Sequence, residues 1–310
     1  MKNVSRLKRI LDAGKFAVTA ECGPPKGADP EVIFEKGEKL KGYVDAVNVT
    51  DNQTAIVRMS SLAACALLKS TGLDPVLQMV VRDRNRIALQ SDILGASALG
   101  IRNVLCLSGD HQCFGNQPQA AGVFDLDSIQ FVEVVKNMRD EGVILGGESL
   151  ASAPEMFIGA AANPFGDPQA FRAVRLGKKV RAGADFIQTQ CIYNLERFET
   201  WLQMSGDRGL TKQTYILGGV TPLKSAGMAK YMKNKVAGID IPDAMIERME
   251  GVPKKNQQEE GIKICVETIK RLKEMPGVRG VHIMAIEWED AVADIVGQAG
   301  LFPRPAVNEG

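Results

Sequence analysis

Repeatedly along this chain a helical stretch stops at a glycine, and a run rich in valine and isoleucine follows at once. Examples are Gly42-Tyr43-Val44-Asp45-Ala46-Val47-Asn48-Val49, Gly100-Ile101-Arg102-Asn103-Val104-Leu105-Cys106-Leu107, Gly183-Ala184-Asp185-Phe186-Ile187-Gln188-Thr189-Gln190 and Gly277-Val278-Arg279-Gly280-Val281-His282-Ile283-Met284. Glycine accepts the left-handed backbone that ends a helix, and an apolar run of this kind suits a strand covered on both faces. The unit is therefore helix, turn, buried parallel strand. Strand candidates fall at 16–22, 44–50, 75–81, 103–108, 156–162, 185–191, 214–219 and 280–286, with helix-length segments between them. A chain of 310 residues could form two ordinary domains or one large barrel. Eight such strands without a linker rich in Pro, Gly or Ser predict one α/β domain over 1–310, a single eight-stranded parallel (β/α)8 barrel of the TIM type. The rival is an open doubly wound sheet, which the absence of Gly-x-Gly-x-x-Gly after the first strand weakens. The polar segment Gly251–Glu260 reads as an exposed connection before a helix near 257–274.

Charge and composition narrow the partners. The apolar share of 45% is ample for a core, and no segment approaches the roughly 18 uncharged apolar residues of a membrane span. The basic start, Met1–Arg9, lacks the apolar stretch and cleavage site of a signal peptide, so a soluble cytoplasmic protein is expected. Lys plus Arg (38) nearly balance Asp plus Glu (37) and are scattered, which leaves no footprint for nucleic acid. The local exception is the basic run Arg172–Arg181, which suits either a solvated helix face or a phosphate. Six cysteines lie far apart with no Cys-x-x-Cys pair, which argues for reduced thiols rather than a zinc or iron–sulfur site.

In a parallel barrel the carboxyl ends of the strands converge on one mouth, where chemistry is placed. Glu21 ends the first strand just before Gly23-Pro24-Pro25, so it reads as an acid or base on rigid scaffold, or else as a helix cap or a solvated strand end. Other polar strand ends are Thr50, Asp51, Asn52 and Gln53; Gln78; Ser108, Gly109 and Asp110; Asn163; and Gln190. Two carboxylates, Glu21 and Asp110, reach the mouth from different strands, and unequal surroundings could separate their pKa values and make one a proton donor. His111 reads as an ordinary loop histidine and His282 as a residue packed in a strand. Met228 and Met232 share a helix face and read as core or a subunit contact.

The ordered set Thr19-Ala20-Glu21-Cys22-Gly23-Pro24-Pro25, Val49-Thr50-Asp51-Asn52, Leu107-Ser108-Gly109-Asp110, Ala161-Ala162-Asn163-Pro164, Lys178-Lys179 through Thr189-Gln190 and Gly218-Gly219-Val220-Thr221-Pro222 resembles the methylenetetrahydrofolate reductase family. The resemblance runs over nearly the whole chain. It implies a flavin-containing eight-stranded barrel that reduces 5,10-methylenetetrahydrofolate to 5-methyltetrahydrofolate by hydride from reduced flavin. By the same resemblance Glu21 is the general acid, Asp110 contacts folate and faces the flavin, and Gln190 touches folate and nicotinamide. Thr50 matches a nucleotide contact, and Gly109 and Lys179 match the flavin-binding set, the lysine serving the cofactor phosphate. Asp51, Gln78, Ser108, Asn163 and Lys178 complete the expected cofactor-binding positions.

Departures stand beside the matches. Where familiar bacterial members carry Tyr, His and Arg, this chain has Asp51, Gln78 and Ser108; near Asn163 and Asp167 they carry Tyr and His; and Trp288 replaces an Arg that reaches the folate tail. FAD is the favoured flavin, with FMN the alternative. The changed mouth suggests that NADH or NADPH, the expected donor, gives way to an electron-donating partner subunit, and an oligomer is expected. Two rival readings are a cofactor-free pterin-binding methyltransferase barrel and a non-catalytic barrel subunit of an electron-transfer complex.

Overall fold

The computed structural model describes residues 4–307; the ends of the chain, including the first three residues of its basic start, lie outside the described residues. The glycine-punctuated runs form eight strands: β1 (Ala17–Cys22), β2 (Ala46–Val49), β3 (Pro75–Val80), β4 (Asn103–Leu107), β5 (Phe157–Ala162), β6 (Phe186–Cys191), β7 (Tyr215–Val220) and β8 (Val278–Ile283). Each pairs in parallel with the next, and β8 closes on β1 with Ala17 opposite Gly280 and Ala20 opposite Ile283. The closed barrel is as the repeat predicts, and the open sheet is excluded by that last pairing.

Strand alternation sorts side chains into two cores. Val18, Ala20, Val47, Val49, Leu77, Met79, Ile158, Ile187 and Val281 face the helical coat. Ala17, Ala46, Val76, Leu105, Phe157, Phe186 and Leu217 fill the barrel's amino end, which Leu7, Ile10 and Leu11 of the helix Arg6–Asp12 plug from below. That plug is fixed by the Ser5 side chain, which accepts from Lys8 N, and by Leu7 N, which donates to Asp74 at 3.0 Å. Phe157 and Phe186 stack at 4.9 Å, and Gly159 makes room for them, since a Cβ there would fall 2.3 Å from the Phe186 ring.

The next inward layer is polar. Asn48 donates to Gln188 Oε1 at 2.6 Å, Gln188 returns a bond to Asn48 Oδ1 at 3.1 Å and reaches Thr19 Oγ1 at 3.4 Å. Thr19 Oγ1 in turn lies 2.9 Å from His282 Nδ1. Buried polar groups are tolerated when mutually satisfied, so this layer forms a rigid floor beneath the mouth.

Two details differ from the sequence expectation. β8 ends at Ile283 rather than near 286, because Glu287 takes a left-handed backbone (φ 48°) and Trp288 N turns back to the Ala285 carbonyl. The helix Gln257–Glu274 starts where expected, yet Gln257 is buried rather than exposed: its amide accepts from Ala226 N at 3.1 Å and donates to the Met249 carbonyl at 3.0 Å. It thereby pins the helices Ala226–Lys235 and Asp243–Glu250, whose satellite core takes in Met232 and Met228. Gly261 on the long helix crosses backbone, and a Cβ there would lie 1.8 Å from the Leu223 carbonyl oxygen. Gly261→Ala is expected to destabilise by about 1–3 kcal/mol or more, since backbone cannot swing aside as a side chain does. A thermal melt checks this; an unchanged Tm would contradict the contact.

Candidate active site

At the carboxyl ends of the strands two adjoining cavities of about 300 and 340 Å³ share a wall that includes Gln78, Arg175, Lys179 and Gln190. Glu21, Asn163, His282 and Met284 line the first; Ser108, Gly109 and Asp110 line the second.

Glu21 stands two residues beyond Thr19 on β1 and is half-buried, and its carboxyl makes no hydrogen bond or ion pair among the described residues. Burial pushes its carboxyl from the ordinary 4.5 up to about 7, and the Glu289 carboxylate adds to the rise. Glu289 is itself buried and paired with Lys36 at 2.8 Å. Sequence reasoning missed Glu289, because it returns to β1 from the loop after β8 and no spacing in the chain announces that approach.

A carboxyl raised in this way keeps its proton in the fold while an unfolded chain would already have lost it. Stability is therefore expected to decline as pH rises from about 4.5 toward 7 and to level off above. Any reaction that needs the Glu21 proton is expected to hold its rate below about pH 7 and to fall tenfold per unit above it. A pH–rate profile checks this; a rate flat to pH 9 would contradict it.

Asp110 is exposed at the rim, where its carboxylate accepts from Thr54 N at 3.1 Å and its carbonyl from Arg82 at 2.8 Å. Gly109 before it takes φ 81°, and a Cβ there would press on Val80 at 3.0 Å. Gln78 is 8% exposed, has no partner among the described residues and faces both cavities. Gln190 accepts from Cys191 N at 3.3 Å, and Asn163 accepts from Phe165 N at 2.9 Å. Ser108 donates to Ser128 at 3.1 Å. Thr50 is buried with its hydroxyl unpaired, and it lies away from both cavities.

Two expected cofactor residues are differently employed. Asp51 lines the second cavity, but its carboxylate is held by Arg84 at 2.6 Å and by Val80 N at 2.9 Å, so it braces β2 against β3. Lys178 turns outward, exposed, with its ammonium 5.8 Å from the Phe171 ring. Neighbouring residues on a helix point about 100° apart, and only Lys179 of the pair faces the mouth. Lys179 is buried, donates to the Ala161 carbonyl, and has its pKa pushed down to about 8 by burial and then by Arg175. Arg172 and Arg175 join it in the first cavity, one helix face at 172, 175 and 179. That spacing was readable in the basic run, although only the lysines were singled out.

His282 is packed in β8 as expected, and it also floors the first cavity, where burial drives its pKa down to about 3 and keeps it neutral. His111 is an exposed loop residue that accepts from Cys113 N at 3.2 Å. Trp288 packs on the outer core, with Lys224 5.9 Å from its ring. Among the described residues no helix is long and apolar enough to cross a membrane.

The chain is a TIM-type barrel whose mouth carries, among the described residues, an unpartnered, proton-retaining carboxyl beside a cationic wall. More narrowly, the family model described as methylenetetrahydrofolate reductase matches residues 6–300, and the chain belongs to that family. It is 25% identical over 312 residues to a probable methylenetetrahydrofolate reductase (NADPH) of Caenorhabditis elegans, covering 96% of this chain and 44% of that protein. It is 22% identical to methylenetetrahydrofolate reductase (NADH) 1 of Arabidopsis thaliana, covering 99% of this chain and 52% of that protein. The chain thus spans about half the length of these relatives. Among solved structures, a Clostridium thermocellum protein described as binding two copies of 5-methyl-5,6,7,8-tetrahydrofolic acid superposes with a TM-score of 0.66 at 14% identity, covering 96% of this chain and all of that one. A 2,3-dimethylmalate lyase superposes with a TM-score of 0.52 at 12% identity, covering 98% of this chain and 88% of the lyase. These likenesses support the fold.

Proposed function

We propose that this chain reduces 5,10-methylenetetrahydrofolate to 5-methyltetrahydrofolate with a phosphate-bearing flavin at the barrel mouth. The observation that carries the reading is Glu21, a carboxyl with no partner among the described residues, held protonated near neutrality in the cavity of a family barrel. The residues present suit such a cofactor: Lys179 and Arg175 offer cations to a phosphate, and the buried Gln78 amide is unpaired toward both cavities. A bound reduced flavin would supply the hydride.

The protein's own groups do the remaining work. Glu21 gives its proton to the folate nitrogen that leaves when the five-membered ring opens. Opening leaves a cationic iminium on the substrate, and the Asp110 carboxylate stabilises that charge from the rim. Gln190, on the shared wall, offers its amide nitrogen to the ligand while its oxygen is held by Cys191 N. His282 stays neutral beneath, so no added positive charge opposes the iminium.

Relatives are named for NADPH and for NADH, and these nucleotides are the proposed donors, with a partner subunit as the alternative source of electrons. Release of the bound chromophore and its identification by mass tests the reading. A flavin is expected; a colourless protein that takes up neither FMN nor FAD on reconstitution would favour the flavin-free methyltransferase alternative.

A further inference from the structure

Glu289 stands at the N-cap position of the helix Asp290–Gln298, where a carboxylate ordinarily accepts from the first free backbone N–H groups. Its side chain makes no such bond. It is turned inward until the residue is 6% exposed, and it meets the Lys36 ammonium at 2.8 Å. Lys36 reaches in from the helix Glu31–Leu40 and also donates to the Gly23 carbonyl at 3.1 Å. Gly23 follows Glu21 by two residues, at most about 7 Å of chain, so the pair is anchored where the strand that carries the acid ends.

Holding the two helices together does not require this pair. Lys39 and Asp290 form an exposed ion pair at 2.9 Å between the same helices. Taking an ion pair out of water is costly and adds little over apolar packing of the same volume, so Lys36–Glu289 is poorly accounted for as a staple.

The other groups around Glu21 do not supply what Glu289 does. Cys22 and Cys191 are thiols that burial keeps protonated, and His282 is neutral. Across the first cavity the helix Gln169–Ala182 presents Arg172, Arg175 and Lys179, cations that favour an ionised acid. On the loop side Lys26, Arg58 and Glu287 line a further cavity of about 500 Å³ together with Lys36 and Glu289. Glu287 is exposed there, 3.6 Å from Arg58, and Asp110 lies at the second cavity. Among the described residues Glu289 is the carboxylate that acts on Glu21, and it opposes those cations.

Resting on the reading of Glu21 as the proton donor, we propose that Lys36 and Glu289 are positioning residues for its proton: the Glu289 carboxylate holds the proton on Glu21, and Lys36 keeps Glu289 ionised at the strand end. A like charge beside an acid disfavours its ionisation, and a counter-ion on the first carboxylate prevents it from taking the proton instead. Neither residue touches the reacting atoms.

The titration of Glu21 tests this without any turnover. In protein with isotope-labelled glutamate carboxyls read by NMR, the Glu21 signal is the one missing from Glu21→Gln, and its midpoint in the parent is expected at about 7. Glu289→Gln is expected to lower that midpoint by about 0.5–1 unit. The double variant Lys36→Met with Glu289→Gln leaves no orphan charge and is expected to lower it too. Lys36→Arg, which keeps the cation, and Lys39→Ala, in the exposed pair, should leave it in place. The pH–rate profile for folate reduction should follow: relative to its own low-pH plateau, Glu289→Gln is expected to run about three- to tenfold slower than the parent at pH 8. A Glu21 midpoint unmoved in Glu289→Gln, or in the double variant should the single one not fold, would overturn the proposal. So would a loss of rate equal at every pH, the mark of a structural role. Absence of folate turnover in the parent would instead overturn the functional reading, and the carboxyl titration would still decide what the pair does.

Discussion

Glu21→Gln is expected to slow reduction of 5,10-methylenetetrahydrofolate by about 10²–10⁴-fold while leaving cofactor binding and reduction by an artificial donor intact. The amide keeps the shape of the side chain and lacks the proton. The geometry makes the substitution clean, because the Glu21 carboxyl holds no other described residue in place. Its raised pKa gives a second readout with an opposite sign. Above pH 7 the parent carries a half-buried carboxylate that the fold disfavours, so the glutamine variant is expected to melt at a higher temperature than the parent at pH 8, and the gap should close toward pH 4.5. Lost activity together with raised stability identifies a group kept for chemistry. A variant within twofold of the parent in the folate half-reaction would assign ring opening to another group.

Asp110→Asn is expected to lower the folate half-reaction by about 10–10²-fold, less than a buried electrostatic group would give, because the carboxylate is exposed and partly screened. It is also expected to raise the reduction potential of the bound flavin, since reduction adds negative charge and the variant removes a neighbouring one. The Thr54 N–H loses its charged acceptor, so the loop Gln53–Ala55 is expected to loosen modestly. Potentiometric titration separates the two effects. An unchanged potential would place Asp110 away from the reacting ring and leave it a loop-holding role.

The barrel was legible because its signal is local: glycine stops a helix and an apolar run suited to a strand covered on both faces follows. Glu21 was legible for the same reason, as a charge at the end of an otherwise buried strand. What surrounds it was not. Glu289 acts on Glu21 from the loop after β8, and the length of that strand was overread because nothing in Ala285-Ile286-Glu287 marks the left-handed turn at Glu287. Asp51 lies at the mouth as its position suggests, but Arg84, 33 residues further on, claims its carboxylate. Lys178 and Lys179 are equivalent as letters; only the phase of their helix puts one inside and the other over Phe171. Arg172 and Arg175 could have been found from that phase. The polar floor of Thr19, Asn48, Gln188 and His282 joins four strands, so no stretch of sequence displays it.

With its flavin bound, this barrel is proposed to carry out folate reduction using the Glu21 proton. Single turnover tests it most directly. Anaerobic protein reduced with one equivalent of dithionite is mixed with 5,10-methylenetetrahydrofolate at pH 6.5, and flavin reoxidation is followed beside the appearance of 5-methyltetrahydrofolate. One product formed per flavin reoxidised, with the rate falling tenfold per pH unit above about 7, is the result predicted. A flavin that stays reduced in the presence of saturating substrate, or product formed at a rate untouched by Glu21→Gln, would contradict the account.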